Sequence, residues 1–411
     1  MMWRSELCET ETGKLTAAKA FLLDAAMLLH RYGTPSHRLE RVMCKVASSL
    51  GIESVFLYTP TALVISMKDA DEETTVVRRV DSGEVHVDKL FRADEVLERL
   101  ERKEISIEQA KDQLQQIDQS APPYPFVVYA AACAASCAAL AVLFHGSLVE
   151  LVAALLIGLC VAGIERVQSG LGRQRSLLQP VAGFVAAVVS LAIARFIVPL
   201  DDRLVTLAGL IVLIPGLSLT VALTELAVGH LSAGVARLAG ALVSLMTLFL
   251  GVAIAWRFAP NWRVLPEHPA DTPVWWQWIA LIVVPIAFAI VFQARMAQWP
   301  VIVAVAMLGI LVSRSVLPYY GVEVASFAAA LAVGCGSNLY ARLRNRPALI
   351  ALTPAMIVLV PGAFGYRSLS ALLDHQTIEG VEFGFHTVLI AMCLVGGLLT
   401  SNAVVPPKRI L

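Results

Sequence analysis

The chain has 411 residues, 57% of them hydrophobic and only 16% charged, with 32 Lys and Arg balancing 32 Asp and Glu. Soluble domains carry about 25% charge, so most of this chain belongs in a bilayer. Zero net charge, without a basic stretch interleaved with aromatics, sets nucleic-acid binding aside.

The charge is concentrated in residues 1–120, which read as an α+β domain. Residues 1–19 are mixed and charged, and no secretory signal is visible in them. Residues 15–30 have helical apolar spacing, ended by Gly33-Thr-Pro35, after which Ser36 caps a second helix running to Gly51. Three β-rich runs follow at 54–58, 61–67 and 74–80, broken at Thr59-Pro60 and at 68–73. Helices at 88–102 and 107–117 come next, the latter opened by the capping pattern Ser106-x-x-Gln109. Residues 121–125, Ala-Pro-Pro-Tyr-Pro, form a stiff linker to the membrane part.

Ten candidate spans follow: 126–145, 148–164, 178–199, 204–223, 234–256, 275–293, 300–316, 322–340, 348–366 and 383–402. Most reach the roughly 20 residues that cross a hydrocarbon core of about 30 Å. Arg166, Arg173, Arg175, Arg342, Arg344, Arg346, Lys408 and Arg409 place their loops, and both termini, in the cytoplasm by the positive-inside rule. On the opposite face Trp256, Trp262, Trp275, Trp276 and Trp278 read as an interfacial belt. Glycines at 158, 163, 183, 209 and 240 mark tight helix packing.

The hexapeptide Ile211-Val-Leu-Ile-Pro-Gly216 returns as Ile357-Val-Leu-Val-Pro-Gly362, each copy in the fourth span of its half. The second copy lies five spans after the first, an odd number, so the two helices run in opposite directions. The expected fold is therefore membrane all-α, with ten transmembrane helices as two inverted five-helix repeats, 126–258 and 275–405, behind a small α+β cytoplasmic domain.

Pro215-Gly216 and Pro361-Gly362 should break or kink their helices inside the membrane. Freed amides and carbonyls could then hold a small polar solute. Ser218, Thr220 and Thr224 follow the first break, and Tyr366 and Arg367 follow the second. The hydroxyls either line a cavity or bond back to their own helix. Glu225 is either a proton- or substrate-contacting carboxylate or an interfacial anchor, with Arg237 as a candidate ion-pair partner. Gly334-Cys-Gly-Ser-Asn338 suits close packing plus one side-chain amide, and Glu150 and Glu323 read as interfacial. In the polar domain, Ser36, His37 and Glu40, or Asp69, Asp71 and Glu72, supply no catalytic spacing. The seven cysteines show no CxxC pattern, so neither a metal nor a disulfide is expected, and no enzyme or cofactor is called for.

With those residues in place, the chain resembles the bacterial threonine/serine exporter family, to which the fungal pheromone-regulated membrane proteins look related. The likeness is carried by Gly33-Thr-Pro-Ser-His-Arg-Leu-Glu40, Thr59-Pro-Thr61, Thr74-Thr-Val-Val-Arg-Arg-Val80, Ile214-Pro-Gly216, Glu225-Leu226 with Gly229, Ser232, Gly234 and Arg237, and Val360-Pro-Gly362 with Tyr366-Arg-Ser-Leu369. The family commonly shows Asp-Leu and Gly-Asp where this chain has Glu225-Leu226 and Gly229-His230.

The resemblance implies an inner-membrane exporter of threonine and serine, driven by protons. Its expected substrate contacts are Pro215, Gly216, Ser218, Thr220, Thr224, Pro361, Gly362 and Arg367, with Glu225 coupling protons. Expected partners are the solute and membrane lipid, and a homo-oligomer is compatible with both. Split relatives resemble dicarboxylate exporters, so a succinate-like substrate is the first rival. A membrane scaffold or signalling protein is the second.

Overall fold

The computed structural model describes residues 2–68, 73–80, 83, 85–170, 177–262, 264, 273–357, 359 and 362–407. Pro361, Val360, Asp69, Asp71, Glu72, Arg173, Arg175, Lys408 and Arg409 lie outside them.

The first unit contains α1 (Met2–Arg31), α2 (Ser36–Ser49), β1 (Glu53–Thr59), β2 (Ala62–Lys68), β3 (Glu73–Arg79), α3 (Val87–Glu101) and α4 (Ile107–Gln119). The strands form one antiparallel sheet in the order β1-β2-β3. Alternation in β2 sends Leu63, Ile65 and Met67 into a core with Phe21, Leu22, Leu39, Met43 and Leu97. The Ser106 capping box at the start of α4 forms as expected. Helix α1 starts at Met2 rather than near residue 15, running through Gly13 with no proline to stop it.

Ser36 is not a cap. Pro35 occupies the cap position with extended backbone, α2 begins at Ser36 itself, and no side chain caps the helix. Proline supplies the fixed φ that starts a helix there, while Gly33, with φ 82°, ends α1 just before it.

The second unit is helical: α5 (Phe126–Leu143), α6 (Leu148–Gly170), α7 (Leu178–Phe196), α8 (Asp202–Gly209), α9 (Gly216–Ala227), α10 (Leu231–Phe258), α11 (Val274–Val291), α12 (Trp299–Arg344), α13 (Leu349–Met356), α14 (Gly362–Leu373) and α15 (Thr377–Val404). Among the described residues, seven helices (α5, α6, α7, α10, α11, α12 and α15) are long and apolar enough to cross a membrane. Their exposed faces carry side chains such as Leu156, Val243, Leu250, Ile282 and Val388, which suit lipid and not water.

Helix α12 folds back on itself at Gly321, whose φ of 81° and ψ of 176° no helical residue adopts. Gly309 packs on Val333 and Gly336 on Leu308, so the arms 299–320 and 322–344 run antiparallel.

Backbone approach decides where glycine stands. A Cβ on Gly183 of α7 would lie 2.1 Å from the Leu248 carbonyl oxygen of α10, and one on Gly251 of α10 would lie 2.0 Å from the Pro180 oxygen of α7. The two glycines let these helices pack backbone to backbone, as small residues do in bilayers. Gly158 and Gly209 are similarly confined, but Gly163 and Gly240 meet nothing within 4 Å and do not mark packing. Trp256 also departs from the expected belt: it is buried between Phe249 and the Arg203 guanidinium. A Gly183→Val variant should lose about 1–3 kcal/mol through overpacking, read as a lower melting temperature in detergent. Gly240→Ala should melt like the parent.

Candidate functional site

The two Pro-Gly hexapeptides lie where helices are divided. Between α8 and α9 the chain passes through turns from Leu210 to Ile214, and the Gly216 N–H donates to the Ile214 carbonyl at 2.8 Å. α13 ends at Met356 and α14 begins at Gly362. The restarts touch: a Cβ on Gly362 would lie 2.7 Å from Ile214 Cγ2 and 3.4 Å from Gly216 Cα. The start of α14 thus meets the break between α8 and α9, where turn bonds replace the helical ladder.

Each end of this pair is closed by charge. Away from the first unit, Arg203 of α8 bonds Ser370 at 2.9 Å and Asp374 at 2.6 Å, its guanidinium 3.3 Å from the centre of the Trp256 ring. On the other side stands Glu225 of α9, with no solvent exposure. Arg237 Nε donates to its Oε2 at 2.9 Å and Nη2 to its Oε1 at 3.1 Å. The backbone N–H of Ser36, the first residue of α2, donates to Oε1 at 2.9 Å. Glu225 is therefore not solvated: it joins the first unit to the helical one. The positive end of α2 complements the carboxylate.

Further contacts hold the units together. Val87 N–H donates to the Phe292 carbonyl at 2.9 Å, and Tyr124 Oη–H to the Ala294 carbonyl at 2.6 Å. Asp88 pairs with Arg295, Glu98 accepts from Asn345, and Glu95 pairs with Arg346. Burial raises the Asp88 carboxyl above its usual range, against the pull of Arg295 and Arg92.

Next to Glu225, at Thr224, the two units line a partly open cavity of about 100 Å³. Its domain wall includes His37, Arg38 and Arg41; its membrane wall includes Thr220, Thr224, Asn338, Thr353 and Asn402. Among the described residues no Asp or Glu lines it. Arg38 is only 8% exposed, its Nη1 has no hydrogen-bond partner, and no described carboxylate pairs with it. Burial, then Arg41, brings its guanidinium down to about 10. Burial, then Arg38 and Arg41, then His230 and Arg237, pushes the His37 imidazole down to about 3.

Of the residues singled out in the sequence, Thr220 and Thr224 reach this cavity, and Gly216 and Gly362 lie at the meeting of the breaks. The Thr220 and Thr224 hydroxyls donate to the Gly216 and Thr220 carbonyls at 3.3 and 2.8 Å, the back-bonding alternative. Ser218 and Pro215 are half-buried and line no part of the cavity. Arg367 is exposed, 5.4 Å over the Phe144 ring, and does not reach it either, because α14 carries it away from the domain side. Asn338 Nδ2 donates to Asn402 at 3.0 Å and to the Val405 carbonyl at 2.8 Å, while Gly334 packs against Ser401. Sequence reasoning passed over Arg38 and Arg41; the one signal was Arg38 within the unbroken run Gly33-Thr-Pro-Ser-His-Arg-Leu-Glu40, with Arg41 directly after it.

Residues 20–259 match the family model described as "Putative threonine/serine exporter", and residues 277–404 match one described as "Threonine/Serine exporter, ThrE". The chain belongs to the threonine/serine exporter family. Among relatives of this exporter-family chain, pheromone-regulated membrane protein 10 of Kluyveromyces lactis is 26% identical over 426 residues, 96% of this chain and 44% of that protein. The protein of the same name in Saccharomyces cerevisiae is 26% identical over 94% of this chain and 54% of its own length. An uncharacterized protein of Schizosaccharomyces pombe is 27% identical over 94% and 55%. The exporter-family chain thus spans about half the length of the curated relatives it matches. No solved structure matches it.

Two outcomes follow for this exporter-family site. Arg237→Ala leaves the buried Glu225 carboxylate without its cation and should cost about 3–5 kcal/mol; adding Glu225→Gln should restore much of the lost melting temperature. The His37 imidazole is held below its ordinary value of 6.5, so the folded state binds fewer protons than the unfolded one between pH 6.5 and about 3. Its contribution is complete above 6.5 and is lost as pH falls, so thermal stability should drop more steeply across that window in the parent than in His37→Gln.

Proposed function

We propose that the chain is a secondary exporter of small polar amino acids, threonine and serine, coupled to protons through Glu225. The observation that carries this reading is the meeting of two interrupted helices at Gly216 and Gly362, closed by an ion pair at either end. Transporters place solute sites at such interruptions, and alternating access needs one seal that opens while the other holds. The substrate follows from the family, and a cavity of about 100 Å³ beside the interruptions supports a small solute.

The proposed topology has ten passes in two inverted five-pass repeats. α8 with α9 forms the fourth pass and α13 with α14 the ninth, while the two arms of α12 form the seventh and eighth. The loops at 228–230, 292–298 and 345–348 then lie on the side of residues 1–120. Arg342, Arg344 and Arg346 favour the cytoplasm for that side, which puts both termini there and the chain in the cell (inner) membrane.

Glu225 supplies a coupling route. Protonation removes the charge that holds Arg237 and the Ser36 amide, so the domain side loosens only when a proton is bound. A succinate-like dicarboxylate is the second reading, favoured by Arg38 and Arg41 beside a cavity that no described carboxylate lines.

Counterflow of labelled threonine, serine and succinate in proteoliposomes tests the function directly; threonine and serine should exchange, and absence of flux for all three would overturn it. Glu225→Gln should retain counterflow while losing most of its dependence on a pH gradient, at least about tenfold in concentrative export. Full gradient dependence in that variant would remove the coupling role.

A further inference from the structure

An arginine without a countercharge is costly to bury, and proteins seldom retain one for stability alone. Arg38 is such a residue. It sits at the third position of α2, lines the cavity, and has an unpartnered Nη1, while no described Asp or Glu shares the cavity. The backbone around it is tightly determined: Gly33 ends α1 in the left-handed region, Pro35 starts α2, and Glu225 holds the Ser36 amide. The guanidinium is therefore placed by three constraints and answered by none.

The wall facing Arg38 has the opposite character. The Thr220 and Thr224 hydroxyl hydrogens already point at their own helix carbonyls, so these oxygens are left to accept. A cation on one wall and neutral acceptors on the other suit a solute with a carboxylate at one end and a donor, an ammonium or hydroxyl, at the other. A single water needs only about 10–15 Å³, so the cavity of about 100 Å³ has room for a small metabolite and not for a peptide.

We propose that Arg38 anchors the carboxylate of the transported solute by a forked guanidinium contact, so that the 1–120 domain supplies one wall of the transport site. A planar guanidinium offers two parallel N–H donors to a carboxylate, which a point charge does not. This inference rests on the exporter reading for the word transported, and on the cavity alone for the binding. It places the carboxylate away from the Gly216 and Gly362 amides, since the Gly216 N–H is bonded to Ile214 and Gly362 fills the space beside it. It also joins binding to the Glu225 contact. Arg38 lies two residues beyond Ser36, so releasing that amide lets the anchor withdraw from the membrane wall and carry the carboxylate with it.

The test uses the full chain purified in detergent, with threonine, serine, succinate and threoninol, in which the threonine carboxylate is replaced by an alcohol. The three carboxylates should raise the melting temperature of the parent and threoninol should not. Arg38→Gln and Arg38→Met should each abolish the rise while melting above the parent without solute, because an unanswered buried charge has been removed. Arg38→Lys should keep a reduced rise. The proposal is overturned if no carboxylate stabilises the parent, or if either neutral variant that folds is stabilised as the parent is. Proteoliposome counterflow separates the two readings. Binding by the parent without flux sinks the exporter function and leaves the anchor standing, whereas flux with an unchanged KM in Arg38→Met sinks the anchor and leaves the exporter.

Discussion

A carboxylate withdrawn wholly from solvent has to be answered, and the way Glu225 is answered organises the rest of the molecule. One partner, Arg237, comes from the next helix in sequence, and the other, the Ser36 amide, comes from 189 residues away in a different unit. The orphan N–H groups at a helix start make an anion site without any side chain. Because α2 uses its first amide in this way, its start is held against Glu225 of α9. Residues 37, 38 and 41 are then drawn over the cavity instead of facing water.

The divided helices follow from a second constraint. Within a bilayer an unbonded backbone group has no water to turn to, so an interruption persists only where protein or a cavity receives it. Here each interruption is received by the other. Eight residues precede each break and twelve follow it, α8 with α9 and α13 with α14, so the two interrupted helices are matched in length. The match ends at the seals: Arg203 with Asp374 and Trp256 at one end, Glu225 with Arg237 and Ser36 at the other.

Much of this was legible in the residues. Apolar periodicity located the helices, alternation located the strands, and the repeated Pro-Gly located both interruptions, since each signal is local. Glu225 was visible as a carboxylate near an interruption, and Arg237 as its partner. What stayed hidden depends on tertiary placement. Ser36 has the chemistry of a cap, but Pro35 takes that position and the serine contributes its amide instead. Arg367 looked like the nearest cation to a break, yet α14 turns it toward Phe144, and the cations beside the cavity come from a helix that sequence alone assigned to a separate domain. No spacing rule reaches across that gap.

The Gly321 reversal joins the two arms of α12 without a loop. With no loop between them, the arms of α12 cannot slide independently, and the end of the second arm is pinned to the first unit through Asn345 to Glu98 and Arg346 to Glu95. α13, which carries Thr353 at the cavity, begins only a few residues beyond those pins. The 1–120 unit therefore meets the cavity in two ways: directly through α2, and through contacts a few residues before α13.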